Sequence, residues 1–233
     1  MTRAAGQAYS RYERLRNRRL ASLVGARAAS AMSPSTPDAA SEPFVERELF
    51  GGAILASFPA RYVDVSDFRP VPDNQEVWTD ANRDESVIVE ILERVEAGPS
   101  DAEGAAAWFF RDLADVNDAS VASGASVIHQ TRALTPADLP RLGAPVAPGS
   151  SICVGESSMT KARDRGEPNR VRVIVACVRL PEQDTDLLVT VNQTTVVAPG
   201  SSAVAPDAGR GDALVTVERT LATVRVADWG LFG

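Results

Sequence analysis

Two long β-branched runs lying five residues apart constrain this chain more than any other feature. Arg170 to Arg179 reads Arg-Val-Arg-Val-Ile-Val-Ala-Cys-Val-Arg, and Thr185 to Val197 reads Thr-Asp-Leu-Leu-Val-Thr-Val-Asn-Gln-Thr-Thr-Val-Val. Valine, isoleucine and threonine fit the pleated surface of a strand. The first run is apolar on both faces over most of its length, as a strand covered on both sides must be. A parallel crossover needs about a dozen residues or more, so the short gap makes these two strands antiparallel neighbours.

Around that pair the same pattern recurs. Gly52 to Phe58, Glu76 to Thr79, Ser86 to Val95, Ala125 to Leu134 and Ser151 to Thr160 all read as strands, bounded by Pro, Gly, Asn or Asp. Gly51-Gly52 is expected only to loosen the start of the first of these. Asp101 to Asp118 predicts a helix with Asp101 as N-cap, because Ala106, Phe109, Phe110, Leu113 and Val116 share one face. Thr135 to Leu139 predicts a helical turn, and Asp212 predicts the cap of a second helix running from Ala213 to about Val226. Ala198 to Gly211 is a Pro/Gly/Ser/Ala-rich loop. The expected fold class is α+β: an antiparallel sheet of about six strands with helices on its faces.

Charge divides the chain. Residues 1–32 carry seven Arg against one acid, Glu13, which leaves 17 of the 24 bases and 30 of the 31 acids to the rest. An acidic body argues against nucleic acid and for a basic partner surface, although solubility alone also favours acid. Residues 1–48 are expected to be a basic, then Pro/Ser-rich extension, and residues 49–233 the folded domain. Arg-rich, acid-poor composition at the start has the character of an organellar transit sequence, with an untargeted tail as the plainer alternative. The longest apolar run, Val173 to Val178, falls far short of the roughly 20 residues of a membrane-spanning helix.

Chemistry is narrowed as sharply. One histidine, His129, leaves no basis for a His-built metal site or a Ser-His-Asp triad. Cys153 and Cys177 lie in apolar stretches, which suits small buried hydrophobes rather than a disulfide framework. Gly155 to Lys161 lacks the second glycine and the following Ser/Thr of a phosphate loop. The densest polar segment is Asp64-Val-Ser-Asp67-Phe-Arg69-Pro-Val-Pro-Asp73-Asn-Gln75-Glu76. Pro70 and Pro72 forbid a regular helix there and stiffen an extended loop. Val65, Phe68, Val71 and Val77 are expected to anchor that loop to the core. A carboxylate pair for acid/base work lacks an aromatic-lined cleft, and the spacing matches no EF-hand. Two readings stay open: a strip that recognises Arg or Lys on a partner, or a turn whose aspartates cap backbone amides.

Leu49-Phe-Gly-Gly-Ala-Ile, the strip from Asp64 to Val77 and the stretch Asp84 to Glu93 closely resemble the Ran guanine nucleotide release factor family, the Mog-type Ran-binding proteins. The resemblance continues through Gly155 to Lys161 and Arg179 to Val189, and ends with Asp228-Trp-Gly-Leu-Phe232. It implies an α/β/α sandwich shared with PsbP-like proteins, with no cofactor, no metal and no catalytic residue. It implies a nuclear and cytoplasmic protein, a monomer, that binds the GTPase Ran and promotes release of its nucleotide in nuclear transport. Membrane and nucleic acid are not expected partners. Asp73 and Glu76 are the strongest carry-overs to the Ran-binding surface, beside Asp64, Asp67, Arg69, Gln75 and Lys161. An organelle-targeted PsbP-like subunit, with residues 1–48 as its transit sequence, is the alternative.

Overall fold

The β-branched pair does form the centre of a sheet. The computed structural model describes residues 42–95, 104–160 and 166–233. Its first half contains β1 (Phe44–Leu49), β2 (Ile54–Pro59), β3 (Val63–Asp64), β4 (Gln75–Asp80), β5 (Glu85–Glu93) and helix α1 (Gly104–Val116). Then follow β6 (Ser126–Ala133), β7 (Ser151–Met159), β8 (Asn169–Leu180), β9 (Thr185–Val196), helix α2 (Ala213–Leu221) and β10 (Arg225–Val226). Seven strands form the main sheet in the order β3-β4-β5-β9-β8-β7-β6, and β1-β2-β10 form a smaller one. All strand pairs are antiparallel, and β8 meets β9 in the expected hairpin with Ala176 opposite Val189. The main sheet exceeds the expected count of about six strands by the two-residue β3, and the strand expected at Gly52 to Phe58 belongs, as β2, to the separate small sheet.

Alternation along the strands divides the core in two. Trp78, Val87, Val89, Ile174, Ala176, Val178 and Val191 face β2, α2 and Leu139 and Leu142 of the loop after β6. Cys153, Val173, Val175, Cys177 and Leu188 face α1, which lays Ala106, Phe109 and Phe110 on them. The layers are therefore α2 with the small sheet, the main sheet, and α1.

α1 comes close because its inner surface is small. Ala105, Ala106 and Ala107 are fully buried, and Ser151 Oγ accepts from Ala106 N at 2.9 Å, holding the start of the helix. Gly155, in the middle of β7, leaves room for the Phe110 ring: a Cβ there would lie 2.5 Å from Phe110 Cε2 and 2.7 Å from Val127 O. The glycine that superficially suggested a phosphate loop is a packing device. The proposed cap Asp101 lies outside the described residues.

Three expectations are corrected. The folded body starts before residue 49, because Phe44–Leu49 pairs along its whole length with β2. Its solvent-facing Glu46 and Glu48 disguise it, as charges do on an edge strand. Gly51-Gly52 are no loose strand start: with Phe50 they make a tight 3₁₀ turn in which all three residues have positive φ, at 52°, 65° and 91°. The second helix is capped by Asp212 as expected but stops at Leu221. Beyond it, Arg225–Val226 pairs with Leu55 and Ile54 of β2. β-branched residues past a short helix gain more from a sheet edge than from another turn.

Candidate functional site

The acidic strip lies at the β3–β4 edge of the main sheet, and its rigidity begins with the residues that lead into it. Arg61, after β2, ion-pairs with Glu42 at 2.7 Å, with Asp80 at 2.9 Å and with Glu85. Tyr62 is buried and donates from its hydroxyl to Glu85 Oε2 at 3.1 Å, while Gln193 Nε2 donates to Glu85 Oε1 at 2.6 Å. Burial works against the charge on Arg61, but Tyr62, Glu85 and Glu42 outweigh it and raise its pKa. Burial, reinforced by Glu85, also pushes the Tyr62 phenol well above its ordinary value. This cluster fixes the chain entering Val63–Asp64, which pairs with Thr79 and Trp78.

The strip itself is a sequence of tight backbone turns. Asp64 Oδ1 accepts from Ser66 N at 2.8 Å, as an Asx turn does. Val65 N donates to Val77 O at 2.9 Å, and Val65 O accepts from both Phe68 N and Arg69 N, at 3.0 and 3.1 Å. After the two prolines, Gln75 N donates to Pro72 O at 2.9 Å and the chain enters β4. Beneath, Val65, Val77 and Ile88 form a small core of their own, with Val71 packed on it. Phe68 does not join them. It is 69% exposed, contrary to its expected anchoring role, because the wrap of the turn around Val65 O turns it outward.

Glu76 projects from β4 toward the small sheet and accepts from Phe50 N at 2.6 Å. The left-handed Phe50 conformation belongs to the turn that offers this N–H. Burial raises the pKa of Glu76; the Phe50 hydrogen bond opposes the shift and the charge of Asp64 adds to it. Between these elements lies an open groove of about 350 Å³, in which Asp64, Asp73, Gln75 and Glu76 meet Phe50, Val71 and Leu231. Leu231 belongs to the terminal turn Trp229–Phe232, whose start is capped by Asp228 Oδ1 accepting from Gly230 N at 2.8 Å.

Of the residues singled out from sequence, Asp64, Asp73, Gln75 and Glu76 come together in this groove. Gln75 is committed to the sheet, donating from Nε2 to Glu90 Oε1 at 2.6 Å. Asp67 and Arg69 sit on the preceding turn outside the groove lining, Asp67 exposed and Arg69 half-buried. Lys161 lies outside the described residues. Phe50 and Leu231, two walls of the groove, were not singled out as site residues, although both lie in the motifs Leu49 to Ile54 and Asp228 to Phe232 that carry the family resemblance. His129 is exposed on β6 while Cys153 and Cys177 are fully buried. Burial, with Asp186 adding to it, holds the Cys177 thiol well above its ordinary pKa. Among the described residues no group of His, Cys, Asp or Glu side chains is arranged to hold a metal ion, and no helix is long and apolar enough to cross a membrane.

A layered antiparallel sheet that holds carboxylates on a rigid edge, beside apolar walls, has the features of a protein-recognition module. The family model described as "Ran-interacting Mog1 protein" matches residues 47–194, and the chain belongs to this Mog1 family. It is 36% identical over 165 residues to the "Probable ran guanine nucleotide release factor" of Dictyostelium discoideum, covering 71% of this chain and 81% of that protein. It is 32% identical over 193 residues to the "Ran guanine nucleotide release factor" of Danio rerio, covering 81% of this chain and all of that one. The crystal structure of the Saccharomyces cerevisiae Ran-binding protein Mog1p superposes with a TM-score of 0.58 at 24% identity, over 83% of this chain and all of that chain. That likeness shows the shared fold.

Proposed function

We propose that this chain binds the small GTPase Ran through the β3–β4 edge and promotes release of its guanine nucleotide, in support of transport between nucleus and cytoplasm. The folded domain carries the activity and acts as a monomer in both compartments. The observation that carries the reading is the groove itself: Glu76 is held by a backbone amide between Asp64 and Asp73, within the matched family region. A pre-ordered carboxylate loses little conformational entropy on meeting an Arg or Lys of a partner. Asp67, Arg69 and Gln75 extend the face around that groove, and Lys161 belongs to it by its place in the Gly155–Lys161 motif.

No catalytic residue is required. A protein displaces nucleotide from a GTPase if it binds the empty form more tightly than the loaded one, since it shifts the equilibrium only by that difference in affinity. Each tenfold preference corresponds to about 1.4 kcal/mol of coupling between the two ligands, felt reciprocally by both. The experiment is release of labelled nucleotide from Ran with and without the full chain, alongside capture of loaded and nucleotide-free Ran. The expected result is faster release and preferential capture of empty Ran, both lost in Asp73→Ala plus Glu76→Ala. Equal capture by the double variant would refute the assignment of the face.

A further inference from the structure

Phe68 stands apart from every other phenylalanine, tyrosine and tryptophan in the described body. Phe58, Phe109, Phe110, Tyr62 and Trp78 are buried, and Phe44, Phe50, Trp108, Trp229 and Phe232 are at least half-buried. Phe68 alone of these residue types is exposed, at 69%. Single apolar residues on a surface ordinarily need no explanation. Three observations set this one apart. It sits inside the acidic strip, directly after the exposed Asp67 and four residues beyond Asp64. Its backbone is fixed, because Phe68 N and Arg69 N share the Val65 carbonyl and Pro70 and Pro72 follow at once. Apolar space lies directly below, where Val65, Val77, Ile88 and Val71 pack together, yet the turn excludes the ring from it.

We propose that Phe68 is the apolar anchor of the partner-binding face, the side chain that enters a hydrophobic pocket on the GTPase while the neighbouring carboxylates meet its basic residues. This inference rests on the binding reading given above. An aromatic on a rigid turn surrounded by charge has the anatomy of an interface hot spot: a ring that is desolvated on contact, ringed by polar groups. Two χ angles are all that ordering the ring must freeze, so little of its burial is lost to entropy. The exposed Val63 on β3 adds apolar surface to the same segment. The two chemistries divide the work. Carboxylates steer the encounter and set its rate of formation, whereas a buried ring sets how long the complex lasts.

The test is surface plasmon resonance with immobilised nucleotide-free Ran and the full chain as wild type, Phe68→Ala, Phe68→Leu and Asp73→Ala, at low and high salt. Phe68→Ala is expected to raise Kd about 10- to 30-fold, chiefly through faster dissociation and equally at both salts. Phe68→Leu retains most of the affinity. Asp73→Ala slows association, and its effect shrinks as salt rises. The thermal midpoint of Phe68→Ala should equal that of the wild type, since the ring supports no core. Wild-type dissociation by Phe68→Ala, with Asp73→Ala still impaired, would overturn this inference and leave the acidic face standing. A loss confined to association, or a lowered thermal midpoint, would overturn it equally. Absence of binding by the wild type would instead remove the reading on which it rests.

Discussion

Glu76 is asked both to hold the groove together and to present charge, and two substitutions separate those duties. Glu76→Gln keeps an oxygen that accepts from Phe50 N but removes the charge; Glu76→Ala removes both. The pKa of Glu76 is raised in the folded state by burial, with Phe50 opposing and Asp64 reinforcing. For a group raised above its unfolded value, the stabilising contribution is full below the unfolded pKa and is lost as pH rises through the folded one. At neutral pH the ionised carboxylate is therefore a liability to folding, and Glu76→Gln should be as stable as the wild type or more so. The difference should close on acidification, where the wild-type residue is itself neutral. Glu76→Ala leaves the half-buried Phe50 amide, 2.6 Å from its acceptor in the wild type, with no partner. An orphaned buried donor costs about 1–3 kcal/mol, and partial solvent access places this one near 1–1.5 kcal/mol. For a chain of this size that is a fall of roughly 2–6 °C in Tm. Thermal and urea unfolding followed by tryptophan fluorescence, at neutral and acidic pH, measure both variants. If Glu76→Gln loses as much stability as Glu76→Ala at neutral pH, the charge is structural and the argument fails. A gap between Glu76→Gln and wild type that widens on acidification would refute the sign.

Two further outcomes test the packing. Gly155→Ala drives a methyl against Phe110 and the fixed Val127 carbonyl, and should lower stability by about 3 kcal/mol, the upper end of overpacking; calorimetry showing an unchanged midpoint would contradict the close approach of α1. Cys153 and Cys177 should resist Ellman's reagent in the native protein, because both are fully buried and the Cys177 thiol is pushed up by burial. Both should react in denaturant, whereas rapid native labelling would mean that the α1 layer opens readily.

Much of the main sheet was legible because its strands are long and their patterns unambiguous. The β8–β9 hairpin follows from two β-branched runs and a gap too short for a crossover, and β5, β6 and β7 lie within two residues of their expected bounds. What escaped was governed by contacts distant in sequence. β1 is half charged and becomes a strand only because β2 offers it a partner. The tail of α2 was read as helix because Val224 follows Leu214, Val217 and Leu221 at helical spacing, but that valine serves the same core from beyond the helix end. The inner surface of α1 was only partly visible, since alanine signals burial weakly and Ala105, Ala107 and Ala114 line it beside the phenylalanines. In the site, composition located the carboxylates but not their surroundings. No local pattern says that the turn between β3 and β4 will point Phe68 outward, or that Phe50 and Leu231 will meet across the groove.

Of the two readings left open by the sequence, the capped turn describes Asp64 and Glu76, and the proposed binding strip falls to the other acids of the segment. Asp64 is spent on Ser66 N and Glu76 on Phe50 N, so these two build the shape. Asp67 and Asp73 are exposed and make no hydrogen bond or ion pair among the described residues. The backbone around them is nevertheless fixed, by Val65 O on one side and by Pro72 O accepting from Gln75 N on the other. Rigidity and full availability are thus supplied by different residues: Glu76 and Asp64 offer a partner the acceptor sites their caps leave over, already held in place, whereas Asp67 and Asp73 face water with all of theirs. A mutational consequence follows from that division. Substitution of Glu76 mixes folding with binding, whereas Asp73→Ala removes charge from the groove while leaving every described hydrogen bond intact. Its effect on association should therefore be separable from stability, and equal losses of both would mean that the acids cannot be divided in this way.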